Sequence, residues 1–177
     1  MDIFEAKVEG LKNLAERLDY SGSFNNSLGR YVQSAGETVA GTARSFAPVD
    51  NGTLRSSINS QFTNPEPGLF IATIGTNVSY APYMEYGTGT QHDHPNWPRN
   101  PHTVSPRALL AWATRKLRGS ASGLTAETLA FLVARAITRQ GGLKPRRFLR
   151  GAMERLMPGI SAGMNRVIER IIQQGGG

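Results

Sequence analysis

Ile58-Asn59-Ser60-Gln61-Phe62-Thr63, then Asn64-Pro65-Glu66-Pro67-Gly68, then Leu69-Phe70-Ile71-Ala72-Thr73-Ile74-Gly75-Thr76 is where the fold class can be read. Phe70, Ala72 and Ile74 fall on alternate positions, the period-two pattern of a half-buried strand. The proline and glycine cluster between the two runs marks a loop, so the pair predicts an antiparallel hairpin. Two strands rarely stand alone. A third is therefore expected, at Thr88–Gln91 or in the Arg99–Val104 region, unless a neighbouring subunit completes an open edge.

Upstream of the hairpin, Val49-Asp50-Asn51-Gly52 is a turn signal, in which Asp and Asn bond their own backbone and Gly supplies positive φ. Pro48 disfavours helix in the residue before it. It therefore closes, near Ala47, a helix that Asn26 or Ser27 can cap and that carries Leu28, Tyr31, Val32, Ala35, Val39, Ala43 and Phe46 on one stripe. Before it, Phe4, Val8, Leu11, Ala15 and Leu18 recur at helical steps and predict a first helix over about Ile3–Asp19.

Downstream, Gly89 to Ser105 is irregular, interrupted by Pro95, Pro98 and Pro101, and too long for an ordinary connection. Ser105-Pro106 is a helix start leading into Ala108–Arg118. After the Gly119–Gly123 joint a helix is expected over Leu124–Gln140, stopped by Gly141-Gly142. Pro145 opens a basic amphipathic segment to Gln173, which Pro158 should break or kink. The chain reads as α+β: a small antiparallel sheet, two N-terminal helices and a helical C-terminal half. The 177 residues are expected to form a single domain, with a long loop at about 89–105 and a basic helical part at about 105–173.

The chain contains no cysteine, which excludes a disulfide scaffold and a thiolate metal site. No run of 18 apolar residues occurs, so no membrane span is expected, and Met1–Glu5 lacks the pattern of a secretory signal. The formal charge is +7, unevenly spread: residues 1–98 hold 6 Lys+Arg against 10 Asp+Glu, and residues 99–177 hold 14 against 3. Lys144, Arg146, Arg147 and Arg150 concentrate this charge and are candidate DNA-facing groups, able to attract phosphates without reading sequence.

His92-Asp93-His94 with His102 could offer imidazole and carboxylate ligands, but no second cluster has ligand spacing, and a solvent-exposed loop accounts for them. Gly87-Thr88-Gly89 lacks the third glycine of a dinucleotide site. No catalytic residue, metal or cofactor is assigned. The densest signal is Tyr80-Ala81-Pro82-Tyr83-Met84-Glu85-Tyr86-Gly87-Thr88-Gly89. Pro82 suits the start of a short helical turn and Gly87 its left-handed exit. A buried corner explains such a run. So does an interface, since tyrosines bury large area at small entropic cost. Tyr80, Tyr83, Met84, Glu85 and Tyr86, with His92, His94 and Trp97 of the following loop, are the interface candidates. Pro48, Asp50, Gly52 and Gly87 are the structural turn residues. Arg55 or a nearby cation is expected to pair with Glu85.

Three segments in order carry a resemblance: Ala47-Pro48-Val49-Asp50-Asn51-Gly52-Thr53-Leu54-Arg55-Ser56-Ser57-Ile58 with Ile74-Gly75-Thr76; Tyr80 to Thr88; and Lys144-Pro145-Arg146-Arg147-Phe148-Leu149-Arg150-Gly151-Ala152. Together they resemble the gene-product-ten-like neck and tail-completion proteins of tailed bacteriophages, over roughly residues 1–172. Asp50-Asn51-Gly52 replaces that family's usual Asp-Thr-Gly, and nothing of the family carries over to Gly89–Pro101.

The resemblance implies a structural virion protein without catalytic residues, located at the head–tail junction after assembly in the host cytoplasm. It implies a homo-oligomeric ring, of six copies, joining the head connector or head-closure protein to the tail terminator or tail tube, with the genome passing nearby. About six such chains would carry roughly +42. Two alternatives stay open: a tail terminator capping the tube, and a DNA-binding accessory protein.

Overall fold

The computed structural model describes residues 4–7, 23–66, 68–100, 102–117 and 123–175. Along them run β1 (Phe4–Lys7), α1 (Ser23–Phe46), α2 (Thr53–Ser57), β2 (Asn59–Glu66) and β3 (Leu69–Gly75). There follow α3 (Ala81–Tyr86), a 3-10 turn (Gly89–Gln91), α4 (Pro106–Leu117), α5 (Ala126–Arg139) and α6 (Phe148–Gly175). The architecture is α+β, and the described chain divides into two compact units, residues 1–78 with 147–177, and residues 79–146.

The first unit is built on an antiparallel sheet of order β1-β3-β2, in which Phe62 faces Ala72 and Ser60 faces Ile74 across the hairpin. Burial alternates along β3, with Phe70, Ala72 and Ile74 covered, as an antiparallel strand with one solvated face requires. The hairpin closes between Glu66 and Leu69, so Asn64-Pro65-Glu66, expected in the loop, belongs to β2 beyond a register shift.

The third strand is neither Thr88–Gln91, of which Gly89–Gln91 turns as a 3-10 helix, nor the 99–104 region, which has no strand among its described residues. It is β1, with Phe4 opposite Ile74 and Ala6 opposite Ala72, in residues expected to begin a helix. Phe4-Glu5-Ala6-Lys7 alternates apolar and charged, so four residues satisfy either period. The free hydrogen-bonding edge of β3 decides between them. The rest of that expected helix lies outside the described residues.

Against the sheet lies α1. Its covered stripe includes Leu28, Val32, Val39, Ala40 and Ala43. The approach is close because Gly36 has no side chain: a Cβ there would meet Ser60 Oγ at 2.6 Å and Ala72 Cβ at 2.8 Å. Leu28, Val32, Phe70, Ala72, Met164 and Ile171 form one core cluster between sheet, α1 and α6. The Tyr31 hydroxyl donates to the Ile160 carbonyl at 2.7 Å. Helix α6 runs through Pro158 without interruption. That residue is exposed, so water can satisfy the carbonyl its missing N–H leaves free. No helix among the described residues is long and apolar enough to cross a membrane.

Candidate functional site

The second unit opens with α3, whose first turn contains Pro82 and whose exit, Gly87, takes φ +81. A six-residue helix cannot bury every tyrosine it carries. Tyr86 and Glu85 are buried, whereas Tyr80 and Tyr83 keep 43% and 52% of their surface exposed. Met84 is half-buried.

The loop after α3 folds back on it. Asp93 N–H donates to the Tyr86 carbonyl at 2.9 Å. Trp97 then becomes the hub of a ring cluster, with His94 stacked on it at 4.5 Å and 21°, Tyr83 tilted at 5.5 Å, and His92 and Tyr86 each edge-on at 5.9 Å. Tyr86 meets His94 edge-to-face at 4.7 Å, a geometry the ring quadrupole favours.

The two imidazoles are oriented by backbone. His94 Nδ1 accepts from the Asn96 N–H at 3.2 Å. His92 Nε2 lies 3.3 Å from the Pro98 carbonyl, which can only accept, so Nε2 is the donor in that contact. The other ring nitrogen of His92, Nδ1, is buried without a hydrogen-bond partner. His92 is 4% exposed, which differs from the solvent-facing loop the sequence suggested. Beside the cluster an open pocket of about 240 Å³ is lined by Tyr83, Thr88, His92, Trp97, Asn100 and His102 among others.

A backbone clasp holds the far side. Thr88 N–H donates to the Leu143 carbonyl and Leu143 N–H returns to Thr88 Oγ1, each at 2.9 Å. Thr90 N–H reaches Gly141 O at 2.8 Å, Gln91 Nε2 reaches Gln140 O at 2.8 Å, and Arg146 N–H reaches Met84 O at 2.9 Å. The tyrosine segment and the start of the Lys144-Pro145-Arg146 segment are thereby joined. Thr88, Thr90, Gln91 and the Gly141-Gly142 pair are the site-forming residues the sequence reading did not select. Paired glycines at both ends of the clasp were the available signal.

The remaining selected residues are divided between the two units. Pro48, Asp50 and Gly52 belong to the turn between α1 and α2 in the first unit, where Gly52 has φ +86 and Asn51 Oδ1 accepts from Thr53 N–H at 3.1 Å. Arg55 is exposed on α2, in the first unit. Lys144 and Arg146 are exposed in the second unit, Arg147 is exposed in the first, and Arg150 is half-buried there. Among the described residues no group of three or more His, Cys, Asp or Glu could hold a metal ion. The corner offers ring faces, ring edges and exposed phenols, the equipment of a packing surface.

Residues 12–87 match the family model HK97-gp10_like, described as "Bacteriophage HK97-gp10, putative tail-component". The match ends at the exit of α3. No curated protein and no solved structure matches the chain.

Proposed function

We propose, from the match of residues 12–87 to a family model of bacteriophage tail components, that this chain is a structural virion protein of the neck. In this reading copies form a ring that joins the capsid connector to the tail. The observation that carries it is the pairing of exposed and anchored aromatics: Tyr80 and Tyr83 stand out from α3 while stacking fixes Trp97 behind Tyr83. Large rings presented on a pre-ordered base lose little entropy on contact, which is what interface anchors need.

The charge distribution supports the placement. Lys144, Arg146, Arg147 and Arg150 sit in the basic part of the chain, suited to phosphates of a passing genome through long-range attraction. The reading is tested by native mass spectrometry of the purified chain and electron microscopy of particles. A closed homo-oligomer that restores joining of heads to tails is the expected result. A ring found only at the end of free tail tubes favours the tail terminator, and a monomer whose only partner is DNA overturns the ring.

A further inference from the structure

Helices α4 and α5 form a hairpin in the second unit, beyond the end of the family match. The residues it buries are small: Ala113, Ala130 and Ala134. Alanines let two helices approach closely but cover little apolar surface. The larger groups Leu109, Leu110, Trp112, Leu129, Val133 and Ile137 are therefore only half-buried. On the outer face of α5, Phe131 and Leu132 remain 53% and 48% exposed. Arg135 and Arg139, exposed as well, follow at the three-, four-, seven- and eight-residue steps that keep side chains on one helix face. The result is an apolar face edged with guanidinium groups.

Two such faces from two copies would bring four arginines together, so this face does not pair with itself. Its complement lies on the same chain. Tyr80 and Tyr83, in the same unit, are exposed aromatic side chains at the start of α3. Tyrosine faces accept both apolar contact and guanidinium groups. A ring needs two unlike patches on each subunit, one for each neighbour, and closure satisfies both.

We infer that the Phe131–Leu132–Arg135–Arg139 face of one copy docks on the Tyr80–Tyr83 face of a second copy, so that α5 and α3 are the two halves of the ring contact. This rests on the ring proposed above. It adds which surfaces meet, and that the contact is head-to-tail.

The test uses two full-length variants, Phe131→Glu with Leu132→Glu on the hairpin side, and Tyr80→Ser with Tyr83→Ser on the corner side. All four positions are exposed; because Tyr83 also touches Trp97, Tyr80→Ser alone serves as the corner-side variant should the double variant lose the wild-type circular dichroism spectrum. By native mass spectrometry each is expected to be monomeric, half-assembly requiring about 100-fold more protein than the wild type or beyond. Mixed, they should give a one-to-one heterodimer, because each still carries the patch the other lacks.

Wild-type-like rings from either variant overturn the inference while leaving the ring reading intact. So does a mixture that stays monomeric. If the hairpin variant forms rings but no longer joins tails, another virion protein covers α5, and the inference fails. A wild-type chain that is monomeric throughout defeats the ring reading itself.

Discussion

Gly87 leaves α3 at φ +81, and a Cβ there would meet the Leu143 carbonyl oxygen at 2.5 Å and Pro145 N at 2.9 Å. Both the left-handed backbone and the clasp exclude a side chain. Gly87→Ala is expected to destabilise the chain by about 1–3 kcal/mol, read from chemical denaturation. Trp97 differs in kind: it holds the 89–100 loop through ring contacts to Tyr83, Tyr86, His92 and His94. Trp97→Ala should free that loop while sparing the sheet. The expected sign is faster hydrogen exchange at Asp93 N–H with unchanged protection along β3; equal loosening of both would show that the cluster supports the whole fold. At this scale the sequence was informative about turns, since proline and glycine declare their φ. It was silent about stacking, because ring contacts among His92, His94 and Trp97 follow no period.

Among the elements, α1 and α5 give opposite lessons in what a helix position tolerates. Gly36→Ala would improve helix propensity yet push Cβ into Ser60 and Ala72, and the clash should win, with a loss of about 1–3 kcal/mol. Gly41, on the same helix, faces open space, with nothing within 4 Å of where a Cβ would sit, and Gly41→Ala should gain about 0.5–1 kcal/mol. Denaturation midpoints of the two variants check both signs. On α5, Thr125 caps the helix through the Thr128 N–H at 3.2 Å, and Thr125→Ala should cost about 1 kcal/mol.

That cap also acts on Glu127. Its carboxyl is held below the ordinary 4.5, first by its own backbone N–H and then by Thr125. A depressed carboxyl adds stability above its unfolded value and loses it as pH falls through the lower folded value. NMR titration should place Glu127 below 4.5, and Thr125→Ala should move it upward. The helices were legible because fourteen or more residues average out local accidents: α5 lies within two residues of expectation at both ends, and α1 ends where Pro48 predicts but begins earlier, at Ser23. β1 was not legible, because four residues carry both periods and only the edge of β3 distinguishes them. Pro158 misled for a related reason: proline breaks a helix where the lost hydrogen bond is buried, and its site is exposed.

As a whole, the molecule places its family-like motifs in two units: the Asp50-Asn51-Gly52 turn and hairpin in one, the tyrosine corner in the other. The order of these motifs made the likeness to gp10-like proteins over residues 12–87 readable. Within the second unit, the joining of the corner to the segment before Lys144 depended on the Thr88–Leu143 clasp, a contact across 55 positions of sequence that no local pattern announces. The account stands or falls on assembly. Its most direct test is electron microscopy of phage particles made without this chain and then supplied with it. The account predicts filled heads and finished tails that remain separate until the purified chain is added, and then join. Complete, joined particles formed without it would contradict the account.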